Sequence, residues 1–233
     1  MDQPPVIVRV ERASRVYQRD SIPVPALQDA SLDIRRGDFV ALVGPSGSGK
    51  TTLLNLVGGL DRPTSGHIWI DGQDITALRP GALAELRLRK IGFVFQEYNL
   101  VPVLSALENV EYVMLLQGVA EGRRRTRAMG LLGELGLAGL EHRWPNELSG
   151  GQQQRVAVAR AIAAEPVIVL PDEPTANLDS KAGATLMDLM RRLNEERGTT
   201  FVFSTHDPMV VERARRVVRL RDGRIEADER SAP

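Results

Sequence analysis

A glycine-rich stretch at residues 44–51, GPSGSGKT, has the residue types and spacing that phosphate binding requires. Its glycines let backbone N–H groups turn inward around phosphate oxygens, and a helix that starts there adds partial positive charge. Lys50 would supply a point charge for the β- and γ-phosphates, and the Thr51 hydroxyl suits Mg²⁺. The alternative is a strand-turn-helix corner that is glycine-rich by chance. We expect nucleotide contacts from Gly44, Pro45, Ser46, Gly47, Ser48, Gly49, Lys50, Thr51 and Thr52.

Two adjacent carboxylates follow an apolar run at residues 167–173, VIVLPDE. Neighbouring residues at the end of a strand point to different sides, so one carboxylate can organise a metal ion while the next addresses the attacking water. We therefore assign Asp172 to Mg²⁺ and Glu173 to the role of general base; the alternative is a solvated acidic turn. Pro171 lacks the N–H that a central parallel strand donates, so we expect the strand to end there.

A second glycine stretch, LSGGQ at residues 148–152, precedes a helical run. Ser149 is positioned to cap that helix, whose amino end can then meet an anion. The stretch lacks the lysine and the preceding strand of a phosphate loop. It cannot build a complete site by itself, although it could complete another one. Taken alone, a capped helix start is the simpler interpretation.

The elements that must position these residues alternate between strand and helix. We predict half-exposed antiparallel strands at 6–13 and 27–34 from their alternating pattern. Further strands are predicted at 38–44, 66–75, 91–96, 167–171 and 199–205, with two more in RVVRLR and GRIEAD. Helical spacing starts at Gly49 and again fills about 97–163, and a third helix would be capped by Ser180 and ended by Gly198.

This order of elements predicts an α/β fold with a mostly parallel sheet and helices on both faces. We expect a single domain over residues 1–233, with an antiparallel β subdomain near the N-terminus. The helical subdomain at about 97–163 would be inserted into the α/β core.

Composition narrows the function classes. Thirty Lys and Arg residues balance thirty Asp and Glu residues, so no net charge favours nucleic acid or an anionic membrane surface. The absence of cysteine excludes disulfides, thiolate metal sites and thiol catalysis. The start, MDQPPVIVRVERAS, lacks a secretory leader pattern, and no window approaches eighteen uncharged apolar residues. We expect a cytosolic protein with no nucleic-acid partner and no membrane insertion of its own.

Taken together, the motifs resemble those of the ATP-binding subunits of ABC transporters, and the resemblance covers nearly the whole chain. In order, they are Tyr17, GPSGSGKT, Gln96 in FVFQ, LSGGQ, VIVLPDE, NLD at 177–179, and His206 in STHD. The resemblance implies the P-loop core of the ABC ATPase fold, with ATP and Mg²⁺ as cofactors. It also implies a head-to-tail homodimer, in which the LSGGQ of one copy closes over ATP held by the phosphate loop of the other.

The same resemblance implies a role for each matching residue. Tyr17 would stack on adenine, unless it is an ordinary edge-strand tyrosine. Gln96 would touch Mg²⁺ and water, and would begin the loop that faces the membrane partner. His206 would contact the γ-phosphate and support Glu173, unless it is a surface histidine. Asp179 would lie at the dimer seam, and the partner's nucleotide would be met by Ser149, Gly150, Gly151 and Gln152.

Several stretches look most like one branch of the family, which serves lipoprotein release and macrolide export. They are GGLDRPTSG, FVFQEYNLVPVLSALENVEY, ELSGGQQQRVAVARA and FVFSTHDPMVVERARRVVRLRDGRI. The branch implies integral-membrane permease subunits that transmit closure outward, and a peripheral position on the cytoplasmic face of the inner or plasma membrane. A coupling helix of the permease would dock near residues 98–116. Pro171 and Ala176 depart from the usual pattern without removing a catalytic group.

Three alternatives stay open. The chain could be a soluble ABC ATPase of DNA repair or translation, although it shows no coiled-coil insertion or duplicated domain. It could be a regulatory module that uses ATP to assemble a cell-envelope complex without a transported substrate. The basic segment at 121–127, EGRRRTR, could contact lipid headgroups instead of forming a solvated helix start.

Overall fold

The computed structural model describes residues 4–20 and 22–230. The first three residues of the segment tested for a leader lie outside that part of the chain. In chain order the elements are β1 (Val6–Arg19), β2 (Ile22–Arg35), β3 (Phe39–Val43), α1 (Lys50–Val57), β4 (Ser65–Ile70), β5 (Gln73–Asp74), α2 (Pro80–Lys90), β6 (Ile91–Val94), α3 (Ala106–Leu116), α4 (Glu121–Glu134), α5 (Gly150–Ala163), β7 (Ile168–Pro171), α6 (Ser180–Arg197), β8 (Phe201–Thr205), α7 (Pro208–Arg213), β9 (Arg216–Arg221) and β10 (Arg224–Arg230). A short 3₁₀ helix at Pro145–Glu147 precedes α5.

The N-terminal strands form an antiparallel sheet in the order β2-β1-β4-β5, as the sequence predicted. Strands β1 and β2 are each 14 residues long, longer than the alternating pattern indicated. Their pairing contains register shifts, near which Arg12 and Asp29 have left-handed φ values of 44° and 50°. Such bulges interrupt the alternation of side chains, and this explains why the pattern ended early.

The second sheet has the order β10-β9-β3-β8-β7-β6. Every described neighbouring pair in it is parallel except β9 and β10, which are antiparallel. All five residues of β3 and of β8 are buried. One apolar cluster joins this sheet to α3, α4, α5 and α6, and a second cluster joins it to α1, α2 and the antiparallel sheet. The expected mostly parallel core, covered on both faces, is confirmed.

Three helices, α3, α4 and α5, pack on one another between β6 and β7. The first and last begin with capping boxes, Ser105 with Glu108 and Ser149 with Gln152. The predicted cap at Ser149 is therefore confirmed, and it fixes where the LSGGQ stretch becomes helical.

Helix α6 begins one residue earlier than predicted. Its cap is Asp179, whose side chain accepts a hydrogen bond from the Ala182 N–H at 2.8 Å, so the prediction that Ser180 caps it was wrong. Both residue types are good caps, and the one with the extended backbone takes the position. Gly198 ends the helix in the left-handed conformation, as predicted.

Pro171 is the last residue of β7, in agreement with the expected strand end. The N–H group of Val169 donates to the carbonyl of Thr200, just before β8, at 2.9 Å. That of Glu173 donates to the carbonyl of Ser204, within β8, at 2.8 Å. Because alternate residues of a strand bond to the same neighbouring strand, Pro171 removes only the hydrogen bond between those of Val169 and Glu173. Asp172 pairs on the other side, with Val94 O at 2.9 Å, so the proline leaves both carboxylates in register.

Two helices, α2 and α7, were not predicted. In addition, none of the helices in the described ranges is long and apolar enough to cross a membrane.

Candidate functional site

The glycine-rich loop lies where β3 ends and α1 begins, pressed against two other strands. A Cβ on Gly44 would sit 2.2 Å from the carbonyl oxygen of Leu220, and one on Gly49 would sit 2.7 Å from that of Ala26. Gly49 also has a left-handed φ of 103°. These positions admit only glycine, which leaves the backbone N–H groups accessible to a ligand.

Lys50 opens α1 and folds back over the loop. Its ammonium group donates to Gly44 O at 2.8 Å and to Pro45 O at 3.0 Å, which leaves one of its three N–H donors for a phosphate. No side chain caps α1 at Gly49, so the first N–H groups of the helix add their partial charge to the same place. The positive charge of Lys50 and the partial charge of the helix N-terminus therefore act at the same place in the loop.

A cleft of about 640 Å³ opens over this loop. It brings together most of the site residues expected from the sequence, and also Ala26, which the sequence did not indicate. The lining consists of Ala26, Pro45, Ser46, Gly47, Ser48, Gly49, Lys50, Thr51, Thr52, Gln96, Glu173 and His206. Its volume lies in the range of small-molecule sites.

Asp172 and Gly44 are not part of this lining, but the Thr51 hydroxyl, which is, donates to Oδ1 of Asp172 at 3.4 Å. Burial raises the pKa of Asp172, and the neighbouring charge of Glu173 raises it further, while Thr51 and Lys50 act in the opposite direction. A hydroxyl and a carboxylate are the hard oxygen ligands that Mg²⁺ uses, and a cation would offset the cost of burying this carboxylate. The two side chains thus fit the expected metal.

Glu173 has a left-handed φ of 47°, which is uncommon outside glycine and typical of functional sites. This conformation turns its carboxylate toward β8. Its Oε1 lies 2.7 Å from Nδ1 of His206, and its Oε2 accepts from the Thr205 hydroxyl at 3.3 Å. The carboxylate is mostly buried, whereas the histidine is largely exposed. The geometry places the expected base and its expected support in direct contact.

Tyr17 is outside the cleft lining. Its hydroxyl donates to Asp61 at 2.7 Å, and the Arg15 guanidinium stands 4.6 Å from the ring centroid. Arg15 also pairs with Asp61, at 2.9 Å. Arg15 lies on β1 and Asp61 in the segment between α1 and β4. Stacking on adenine stays a prediction for this tyrosine.

The LSGGQ residues and Asp179 are also outside the cleft. Ser149 and Gln152 are engaged in the capping box of α5, with bonds of 2.8 and 3.3 Å. Gly150 approaches Tyr98 so closely that a Cβ would lie 2.7 Å from the tyrosine hydroxyl. The cleft therefore contains one glycine loop, and the second faces elsewhere.

Three side chains that sequence reasoning missed hold the loop that follows β6. Asn177, known from the sequence only as part of the NLD motif, donates to the carbonyl of Gln96, and Gln154 donates to that of Phe95. Arg160 donates to the carbonyls of Tyr98 and Asn99. Burial lowers the pKa of Arg160, which nevertheless bonds two carbonyls. The only sign of these contacts in the sequence was Gln154, a polar residue within the buried run of α5, and nothing in the sequence indicated which carbonyls it contacts.

The sequence profile of the ABC transporter family matches residues 27–176. The chain belongs to the ABC transporter family. An uncharacterized ABC transporter ATP-binding protein of Thermotoga maritima is 50% identical over 216 residues, covering 93% of this chain and 92% of the relative. The macrolide export ATP-binding/permease protein MacB of Syntrophobacter fumaroxidans is 50% identical over 224 residues, covering 95% of this chain. The chain spans 31% of that longer protein.

Among solved structures, the ATP-binding cassette MJ0796, in a dimeric post-hydrolysis state bound to ADP and Pi, superposes with a TM-score of 0.89. It is 43% identical and covers 97% of this ABC chain and all of its own. The MJ0796 protein is from Methanocaldococcus jannaschii. These likenesses confirm the ABC ATPase fold predicted from the sequence, and they identify the chain as an ATP-binding ABC ATPase domain.

Proposed function

We propose that this chain is the ATP-hydrolysing subunit of a membrane transporter of the lipoprotein-release and macrolide-export type. It acts as a head-to-tail homodimer, bound to integral-membrane permease subunits at the cytoplasmic face. The observation that carries this proposal is the 50% identity, across 95% of the chain, to a protein named as a macrolide export ATP-binding/permease protein. The four branch-like stretches of the sequence support the same assignment.

The cleft and the adjoining Asp172 support the roles expected in hydrolysis. The loop and Lys50 would bind the phosphates, and Thr51, Asp172 and Gln96 would hold Mg²⁺. When bound, this ion neutralises charge on the phosphate oxygens. Glu173 accepts the proton of the attacking water, and the hydrogen bond of 2.7 Å to His206 fixes its carboxylate.

The second glycine loop supports the dimer. Ser149 is absent from the lining of the chain's own cleft, and it starts a helix whose amino end suits an anion. A second copy, packed head to tail, brings its Ser149, Gly150, Gly151 and Gln152 over the nucleotide. Asn177 donates to the carbonyl of Gln96. Asp179, two residues later, would then lie at the seam between the copies.

A groove of about 390 Å³ beside the Gln96 loop supports the permease contact. Its lining is largely apolar and includes Leu60, Phe93, Phe95, Asn99 and Val113. A coupling helix seated there would touch both the loop after β6 and helix α3. Movement of the Gln96 loop on nucleotide binding would in this way reach the permease.

Co-expression with a candidate permease tests the assignment. The chain contains no native cysteine, so Asn99→Cys in the groove carries a single reactive thiol, and Glu196→Cys on the exposed face of α6 is the control. We expect membrane association only when the permease is present, and cross-linking to a cytoplasmic loop of the permease from residue 99 alone. Membrane association without a permease, or equal cross-linking from both positions, would contradict it. Substrate release from cells separates a transporter from a regulatory module.

A further inference from the structure

Gln154 is fully buried in α5, five residues after Ser149, and its amide bridges two strand ends. The Nε2 group donates to the carbonyl of Phe95 at 3.3 Å and to that of Pro174 at 2.8 Å. Carbonyls only accept hydrogen bonds, so the nitrogen of the amide must face them, and both of its N–H groups are used.

These two carbonyls belong to the immediate neighbours of site residues. Phe95 directly precedes Gln96, which lines the cleft, and Pro174 directly follows Glu173. One side chain therefore connects the backbone of the expected metal-contacting glutamine with the backbone of the expected general base. Since β6 and β7 end at Val94 and Pro171, their own ladder does not extend to these positions.

Other contacts bind the same loop to α5. Arg160, six residues further along the helix, donates to the carbonyls of Tyr98 (2.9 Å) and Asn99 (2.5 Å). Both of these loop residues have left-handed φ values, 52° and 48°, a conformation that such contacts must maintain. The Gln96 loop is thus shaped by the helix that begins at Ser149.

We propose that Gln154 is a positioning residue for ATP hydrolysis, which holds Gln96 and Glu173 at a fixed separation and ties both to α5. The inference rests on the proposed function, in which those two residues act on the nucleotide. Because α5 starts at the loop expected to meet the partner's ATP, closure there displaces Gln154 and so adjusts the chain's own cleft. Small errors in such positioning cost large factors in rate.

Gln154→Met tests this role, because it keeps the length of the side chain and removes both donors. Gln117→Met is the matched control: the Gln117 amide also bridges two carbonyls, those of Leu88 (3.0 Å) and Ala164 (3.4 Å), away from the cleft. We expect Gln154→Met to lower kcat at least about tenfold while the ATP Kd of the monomer changes less than about twofold. Gln117→Met should lower thermal stability without changing kcat.

A double variant separates positioning from general loss of structure. If Gln154 acts through Gln96, adding Gln154→Met to Gln96→Ala lowers kcat by less than it does in the wild type. Gln154→Glu, which when protonated retains one donor, should give an intermediate kcat and also serves if the methionine variant does not fold. Equal kcat in the wild type and a folded Gln154 variant, or full additivity with Gln96→Ala, would overturn the inference.

The proposed function and the role of Gln154 can be contradicted separately. Absence of hydrolysis in the wild type, or full hydrolysis in Glu173→Gln, contradicts the proposed function itself. Normal wild-type turnover and an inactive Glu173→Gln, together with a Gln154→Met variant that behaves like Gln117→Met, contradict only the role of Gln154.

Discussion

Nδ1 of His206 lies 2.7 Å from Oε1 of Glu173, although 33 residues separate them in the sequence. His206 directly follows β8 and Glu173 lies two residues after β7, and the carboxyl ends of these neighbouring parallel strands meet at one edge of the sheet. In open α/β sheets this edge is where ligands bind. The contact orients the carboxylate of Glu173, which is mostly buried and belongs to a residue with a left-handed backbone.

Replacing Glu173 by glutamine removes the proposed general base and keeps the shape of the side chain. We expect ATP hydrolysis to fall at least about a hundredfold, since proton transfer by a positioned side chain contributes about that much. Binding of ATP should be retained, because the proposed phosphate contacts come from the loop and Lys50. Phosphate release and nucleotide binding measure the two effects. Glu85→Gln, on the exposed face of α2, is the control and should hydrolyse ATP normally.

Asp172→Asn tests the proposed metal site of Asp172 and Thr51. The amide lacks the negative charge that attracts a divalent cation, so the Mg²⁺ concentration for half-maximal hydrolysis should rise at least about tenfold. Titration of hydrolysis with Mg²⁺ measures this shift. ATP binding in the absence of Mg²⁺ should not weaken. An unchanged requirement for Mg²⁺ would show that the metal is held elsewhere.

Substituting alanine for either of two glycines should change the free energy of unfolding, in opposite directions. Gly130 lies inside α4 with nothing within 4 Å of an added Cβ, so Gly130→Ala should stabilise the protein by about 0.5–1 kcal/mol. In Gly92→Ala, the new Cβ would lie 2.4 Å from the Ala161 carbonyl oxygen, so we expect a loss of about 1–3 kcal/mol from strain. Denaturant unfolding measures both. The account of α4 fails if Gly130→Ala is destabilising.

Asp228 predicts a pH dependence of stability. Its carboxylate accepts two hydrogen bonds from Arg216, at 2.7 and 2.6 Å, and these lower its pKa. A folded-state pKa below the unfolded value of about 3.9 stabilises the protein above that pH, and the stabilisation disappears as the pH falls through the folded value. Asp228→Asn should therefore be less stable than the wild type at pH 7, and the difference should narrow below about pH 4. A constant difference across this range would refute the assignment.

The residues that line the cleft were more predictable from the sequence than the helices around it. Phosphate binding restricts residue types at fixed spacing, so the loop at residues 44–51 is recognisable without a structure. Helix α2 was missed because its pattern is weak: only Leu83 and Leu86 are buried. Helix α7 is six residues long, too short to show a periodic pattern.

Contacts between distant segments were beyond sequence reasoning. The amide of Gln154 meets carbonyls 59 and 20 residues away, and backbone acceptors leave no trace in residue type. The partners of Tyr17 were likewise not predicted: its hydroxyl donates to Asp61 and its ring faces Arg15, while its stacking on adenine stays a prediction. The choice of Asp179 over Ser180 as cap likewise depended on the backbone of a single residue.

In the proposed dimer, the nucleotide is sandwiched between the loop of one copy and the Ser149 of another. Sedimentation of Glu173→Gln with and without ATP and Mg²⁺ tests it directly, with Glu173→Gln/Ser149→Arg beside it. We predict that ATP converts the first variant from monomer to a dimer holding two nucleotides, whereas the second stays monomeric and still binds ATP. A Glu173→Gln protein that remains monomeric with ATP bound, or a dimer that forms equally with arginine at position 149, would contradict the account.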